Sequence, residues 1–397
     1  MSTTRRHFIG ASTGVIGLAA TGLARPALAA SEPIRIGWMP ALTGTSSSTG
    51  IALNRGTMLA VSEINAAGGI NGRTIELVTR DTQSDPTKAV NAASELTHSQ
   101  KVDVIWGPGN SGEALATMAI ISRAQVPQID PCFVDTVIDP VKYPFAFRNA
   151  PSNEQVGTAA ATYVVDVLKL HKVALLGDTT GYGTSAIAEY APILKKKGAE
   201  LVYNGVIDGN QTDFTSDVMK MRDLGAEAIM PWSVNTGFLA RLLNARGHLG
   251  WDVPVAGQPT LGSGQTRALL DKPEYWEKVF QLGFRSCSYG PDGRLPARTE
   301  EFLGRLRTAK IDVHDTLLWW IACGYDVPYL VAAAFKNGAG TAKEIAAYWN
   351  TLKAYPGIYG DYSYTAEDHN GYPDSGVVMS QANSFRDGAF KIAAGYV

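Results

Sequence analysis

The sequence predicts an α/β fold made of two doubly wound, Rossmann-like lobes. Two observations lead there: two successive runs in which short β segments alternate with amphipathic helices, and extended, Pro-containing chain that separates the runs. In the first run, residues 34–39 (IRIGWM) read as a strand and Gly50 to Ala67 as a helix ended by Gly68-Gly69. A second strand at 74–81 ends in Asp81. Asp85-Pro86 then supplies an N-cap and a first-turn proline for a helix to about Gln100. VDVIW (102–106), a helix from Glu113 to Ala124 and VPQID (126–130) complete the rhythm. Short links between alternating strands and helices imply a parallel sheet covered on both faces.

Residues 145–155 (FAFRNAPSNEQ) interrupt this pattern with extended chain, and a second series follows. It comprises a helix striped by Val156, Ala160, Val164 and Val167, a strand at 172–177, and a helix from Thr184 to Lys197. Strands at LVYNGVI, EAIMPW and VPVAG alternate with helices around Phe214 to Met221 and Leu239 to Leu243. VFQLGF (279–284) reads as another extended crossover. Helices are then expected at 299–307, 317–336 and 342–352, before an aromatic, β-rich end. Two such units joined by several crossovers place a cleft between the carboxyl ends of the strands, where open α/β sheets bind ligands.

The N-terminus carries Thr4-Arg5-Arg6-His7-Phe8-Ile9, a weakly apolar run to Ala24, and Ala27-Leu28-Ala29. This is expected to be a twin-arginine export signal spanning 1–29, with the mature protein in the periplasm. The run is too short for a membrane span. No later stretch of about 18 apolar residues is read, so no direct membrane insertion is expected. A formal net charge of −2 with 18% charged residues supplies no basic stripe, so nucleic acid is not an expected partner. Cys132, Cys287 and Cys323 fit neither metal-ligand spacing nor a redox C-x-x-C, and whether Cys287 and Cys323 bridge stays open. No metal and no cofactor is expected.

Residues 107–112 (GPGNSG) lie between a strand and a helix. They place free backbone N–H groups and a positive helix end at one spot, which suits an anion. Read literally they are a G-x-G-x-x-G with Asp130 about 20 residues on, so an exported NAD(P)-dependent oxidoreductase is one alternative. Against it, the motif follows the third strand rather than the first, and Pro108 lacks an N–H for a pyrophosphate. His98, His171, His248, His314 and His369 are scattered, with no positioned base.

The ordered set of motifs resembles the type I periplasmic binding proteins, and more narrowly the leucine/isoleucine/valine-binding family that serves ABC importers. The set is Asn65-Ala66-Ala67-Gly68-Gly69-Ile70-Asn71-Gly72-Arg73, Asp85-Pro86, Gly107–Gly112, Gly177 to Gly183, Asp213-Phe214-Thr215 and Gly324-Tyr325-Asp326-Val327. The resemblance implies the periplasmic binding protein type I fold, two lobes joined by three crossovers, with an N-terminal lobe of 30–148 plus 285–372 and a C-terminal lobe of 149–284 plus 373–397. It implies a non-catalytic monomer that captures a small carboxylate-bearing solute, an amino acid or an aromatic or organic acid, and delivers it to an inner-membrane ABC permease. An amide- or urea-binding sensor of the same fold is a further alternative, which an export signal disfavours.

By this resemblance the ligand carboxylate docks at Ser111 and Gly112; Asn110-x-x-Glu113 also resembles a capping box, and a cap and a ligand site are compatible. Cys132 keeps the carbonyl that the family turns on an ammonium, whereas its Thr position falls on Val134 and its second-lobe acid on Pro259, beside Gln258. Either two ammonium partners are missing, which disfavours an ordinary α-amino acid, or the register is displaced by one or two residues. The first-lobe aromatic falls on Thr49, with Tyr182 opposite. Trp38, Trp106 and Trp232 are expected at cleft-side strand ends, with Trp232 counted among the ligand-binding residues.

Overall fold

A computed structural model describes residues 32–314 and 316–396. The export signal read at 1–29 therefore lies outside the described residues. The first series folds as β1 (Ile34–Trp38), α1 (Ser47–Ala66), β2 (Ile75–Thr79), α2 (Pro86–Ser94), β3 (Val104–Trp106), α3 (Ser111–Arg123), β4 (Gln128–Asp130) and β5 (Ala146–Arg148). Its five strands form a wholly parallel sheet in the order β2-β1-β3-β4-β5. The second series is α4 (Asn153–Ala161), β6 (Lys172–Asp178), α5 (Gly181–Lys196), β7 (Glu200–Ile207), α6 (Thr215–Asp223), β8 (Ala228–Trp232), α7 (Thr236–His248), β9 (Val255–Gly257), α8 (Gly264–Ala268) and β10 (Val279–Phe284). The final third adds α9 (Ala297–Thr308), α10 (Leu318–Lys336), α11 (Ala342–Trp349), a small hairpin of β11 (Tyr355–Pro356) and β12 (Asp361–Tyr362), and β13 (Val377–Gln381). The second sheet runs β13-β10-β9-β8-β6-β7, with only β13 antiparallel.

Local chemistry sets most boundaries. Asp85 caps α2 by accepting from the Thr87 and Lys88 amides, with Pro86 in the first turn. Ser152 and Gln155 close a reciprocal capping box at α4. Two expectations are corrected. Residues 279–284 form a paired strand inside the second sheet rather than a free crossover: an apolar segment buried on both faces shows no alternation to reveal it. Helix α5 starts at Gly181 rather than Thr184, because the Thr180 hydroxyl accepts from the Gly183 amide and turns the glycine-rich loop into the first helical turn.

Helix α10 belongs, by its packing, with the first sheet although it comes late in the chain. It is long and apolar enough to cross a membrane, contrary to the sequence reading, but 94% of that stretch is buried inside the fold, so its apolarity serves a core. It lies directly against α1. A Cβ on Gly56 would sit 1.8 Å from the Ile321 carbonyl oxygen, and one on Gly324 would sit 2.0 Å from that of Leu53. Thr57 Oγ1 donates across the same contact to the Gly324 carbonyl at 3.0 Å and accepts from the Trp106 indole. Asp326, on the same helix, accepts from the Ile358 and Tyr359 amides and the Tyr362 hydroxyl, which fastens the small hairpin to α10.

Backbone-to-backbone contact leaves no room for relaxation. Gly56→Ala is expected to lower stability by roughly 2–3 kcal/mol in urea denaturation. Gly304→Ala on α9, where a Cβ meets nothing within 4 Å, is expected to raise it by up to about 1 kcal/mol.

Candidate functional site

The cleft is assembled from the carboxyl ends of both parallel sheets. About 410 Å³ of space lies between its walls, open solvent at the mouth included. The first sheet's side supplies Ser46 and Thr49 at the start of α1, Gly109 to Ser111 entering α3, Pro131 to Phe133 after β4, and Trp320 on α10. The second sheet's side supplies Tyr182 on α5, Val234 after β8, and Gln258 and Pro259 after β9. None of these is Asp, Glu, Lys or Arg, so the cavity wall carries no formal charge.

Its electrostatic sign comes from the backbone. Helices α3 and α5 meet head to head: a Cβ on Gly181 would lie 2.8 Å from the Gly112 Cα. Each N-terminus carries the equivalent of about +0.5 charge with free first-turn amides, and two such ends facing one another favour an anion between them. Two of the loops at the cleft are held by a buried aspartate. Asp130, at the end of β4, accepts from the Cys132 amide at 2.7 Å, and burial pushes its carboxyl up to about 7. At the end of β6, Asp178 accepts from the Thr180 amide at 3.0 Å and from the Thr180 and Ser233 hydroxyls.

The loop after β4 is fixed from behind by Arg148, which is 1% exposed. Its guanidinium donates to the Phe133 and Val134 carbonyls at 2.9 and 3.0 Å, to Asp135 at 2.7 Å and to Asn370 Oδ1 at 3.0 Å. Two carbonyl oxygens beside the cavity are thus committed to a cation the protein already holds.

Of the residues singled out from the sequence, Thr49, Ser111, Cys132, Tyr182 and Gln258 line the cavity together. The others need correction. Gly112 lies at the interhelix contact rather than in the wall. Val134 is buried behind the loop, its carbonyl turned to Arg148. Trp232 is fully buried, 4.3 Å from the Tyr190 ring centroid, and Trp38 stacks on Trp106 at 4.8 Å beneath the first sheet's cleft. Trp38 and Trp106 are register partners on neighbouring strands, so both turn to the same face and meet each other. The aromatic wall is instead Phe133, Tyr182 and Trp320, with Phe133 6.2 Å from Tyr182 and 5.9 Å from Trp320. All three cysteines are buried thiols without a bridge. The capping box at α3 is only half formed: Asn110 Oδ1 accepts from the Glu113 amide, but the Glu113 carboxyl does not return to the cap.

With this geometry in place, the chain was compared with known proteins. A family model described as periplasmic binding protein matches residues 33–388. The chain belongs to that family. An amino acid binding protein of Pseudomonas aeruginosa is 28% identical over 86% of this chain and 88% of its own. A Leu/Ile/Val-binding protein homolog of Brucella suis is 25% identical over 88% of this chain and 90% of its own. Among solved structures, the branched-chain amino acid transporter substrate binding protein LivJ of Streptococcus pneumoniae, in complex with isoleucine, aligns at a TM-score of 0.78 and 25% identity, covering 91% of this chain and 99% of that one. A type 1 periplasmic binding protein of Bordetella pertussis aligns at 0.80 with 23% identity, covering 92% and 100%. The fold is therefore the type I periplasmic binding protein fold, and the chain is a binding protein rather than an enzyme. The glycine-rich turn of this binding protein opens into the cleft through Gly109 to Ser111.

Glu113, two residues beyond Ser111, is fully buried, with only the Thr82 and Asn110 side chains approaching its carboxyl. Burial raises it to about 7 against the lowering effect of Thr82 and Asn110, with the nearby charges of Asp130 and Asp81 acting in the same direction as burial. Its folded value exceeds the unfolded one, so its contribution to stability is fully present below about 4.5 and is lost as pH rises through about 7. Stability is expected to fall by on the order of 3 kcal/mol from this group across that window. Glu113→Gln should reduce the slope in urea denaturation measured from pH 4.5 to 8.

Proposed function

We propose that this chain is the extracytoplasmic subunit of an ABC importer, exported by the twin-arginine route, that works as a monomer and passes one small carboxylate-bearing solute to an inner-membrane permease. Its two lobes, taken as 30–148 plus 285–372 and 149–284 plus 373–397, close on the solute by a hinge. The carboxylate sits at Ser111, where a hydroxyl, first-turn amides and the opposed ends of α3 and α5 converge. Membership of the family and the transporter subunits among the chain's relatives support the importer role.

One observation carries the choice of solute: the cavity that surrounds Ser111 has no acidic side chain, while the Phe133 and Val134 carbonyls are already occupied by Arg148. A buried ammonium would have to give up water for too few partners. The solute is accordingly an amine-free carboxylate, with an aromatic body suited to the Phe133, Tyr182 and Trp320 wall. The names of the Leu/Ile/Val-binding relatives favour a second reading, an aliphatic amino acid.

A thermal-shift panel separates the two, because a solute that binds only the folded protein must raise its melting temperature. Aromatic and other amine-free carboxylates are expected to give the larger shifts; a panel in which only aliphatic amino acids do so rejects the proposal. Ser111→Ala is expected to weaken carboxylate binding by about 1–2 kcal/mol in calorimetry, as one charge-assisted hydrogen bond among several is lost. Unchanged affinity would remove Ser111 from the site.

A further inference from the structure

The cavity wall also carries polar side chains with no partner of their own. Gln258 and Trp320 both line the cavity, one from each side of the cleft, and the Gln258 Nε2 and Trp320 Nε1 groups are buried with no hydrogen-bond partner in the protein. The amide orientation of Gln258 is fixed by its other end: Oε1 accepts from the Thr260 amide at 3.0 Å, and a flipped amide would set donor against donor. An indole N–H can only donate. Buried donors are ordinarily paired, and a pair left unmatched at a ligand cavity calls for an acceptor on the guest.

Both donors stand on rigid supports. The turn after Gln258 is tied down by Thr266 Oγ1, which donates to the Thr260 carbonyl at 2.9 Å, and by the Trp276 indole, which donates to Leu261 at 3.0 Å. Trp320 lies one helical turn before Gly324, at the glycine contact that seats α10 on α1. The rings of Phe133 and Tyr182 line the same cavity.

We infer that Gln258 and Trp320 serve as donors to acceptor oxygen on the solute, so that the solute is an aryl carboxylate with a carbonyl, carboxylate or ether oxygen in addition to its docked carboxylate. This deepens the proposal of an amine-free carboxylate and rests on it. It makes Trp320 and Gln258 the residues that set specificity, and it makes the solute a bridge between the lobes.

Matched probes of nearly equal shape test it by calorimetry on the mature protein: 4-acetylbenzoate against 4-isopropylbenzoate, the corresponding 3-substituted pair, and leucine. In at least one pair the acetyl compound is expected to bind about tenfold or more tightly than its isopropyl partner. That preference should shrink to within about threefold in Trp320→Phe, which keeps a ring, and in Gln258→Leu, which keeps the bulk. If Gln258→Leu fails to fold, the wild-type ratio and Trp320→Phe still decide. Equal binding of acetyl and isopropyl compounds, or a preference that survives both substitutions, overturns the inference. If the benzoates bind equally and leucine does not bind, the inference falls and the amine-free reading stands. If leucine alone binds, both fall.

Discussion

The cleft depends first on where Arg148 puts its charge. A guanidinium this deeply buried must have its donors satisfied, and here they are satisfied by the loop after β4 and by the returning chain near Asn370. The Arg148 backbone continues the same tie, its amide donating to His369 and its carbonyl accepting from Gly371. Three distant stretches, 133–135, 148 and 369–371, are thereby locked at the place where the chain passes between the sheets. The same lock occupies the Phe133 and Val134 carbonyls behind the cavity wall, where Asp135 pairs with the guanidinium.

The remaining electrostatics follow from backbone rather than from charged side chains. Two glycines, Gly112 and Gly181, allow the N-termini of α3 and α5 to touch, and the opposed dipoles do what a lysine or arginine would do elsewhere. Buried acids lie just beneath: Asp130 beneath the loop after β4, and Glu113 inside the first turn of α3. Both are pushed up to about 7 by burial, so their protonated forms can lie under an anion site without opposing it. Neutral donors and rings make up much of the rest of the cavity wall.

Much of this was readable from residue order. Strand–helix alternation announced the two parallel units, and Asp85-Pro86 announced a helix start, because both signals are local. The resemblance to the binding-protein family singles out Ser111, Cys132, Thr49, Tyr182 and Gln258, and the cavity does collect them. Trp232, Trp38 and Trp106, read instead from their strand ends, go into cores. A strand end fixes where a Cα lies, while the face its side chain takes depends on pairing register. Trp320 escaped notice because α10 is apolar all round, and a helix without a polar face gives no sign of which residues reach a cleft. The one available hint was Gly324 a turn later, a residue with a reason to be small.

By itself the sequence determined the class of fold, the order of its elements and the glycine-rich turn at 107–112, since each rests on interactions between near neighbours in the chain. Tertiary structure alone decided which side chains share the cavity, which carbonyls Arg148 consumes, and which donors are left facing a guest. Those outcomes depend on contacts between residues far apart in sequence, such as Arg148 with Asn370 and Gly56 with Ile321. No local pattern encodes how closely two backbones will approach.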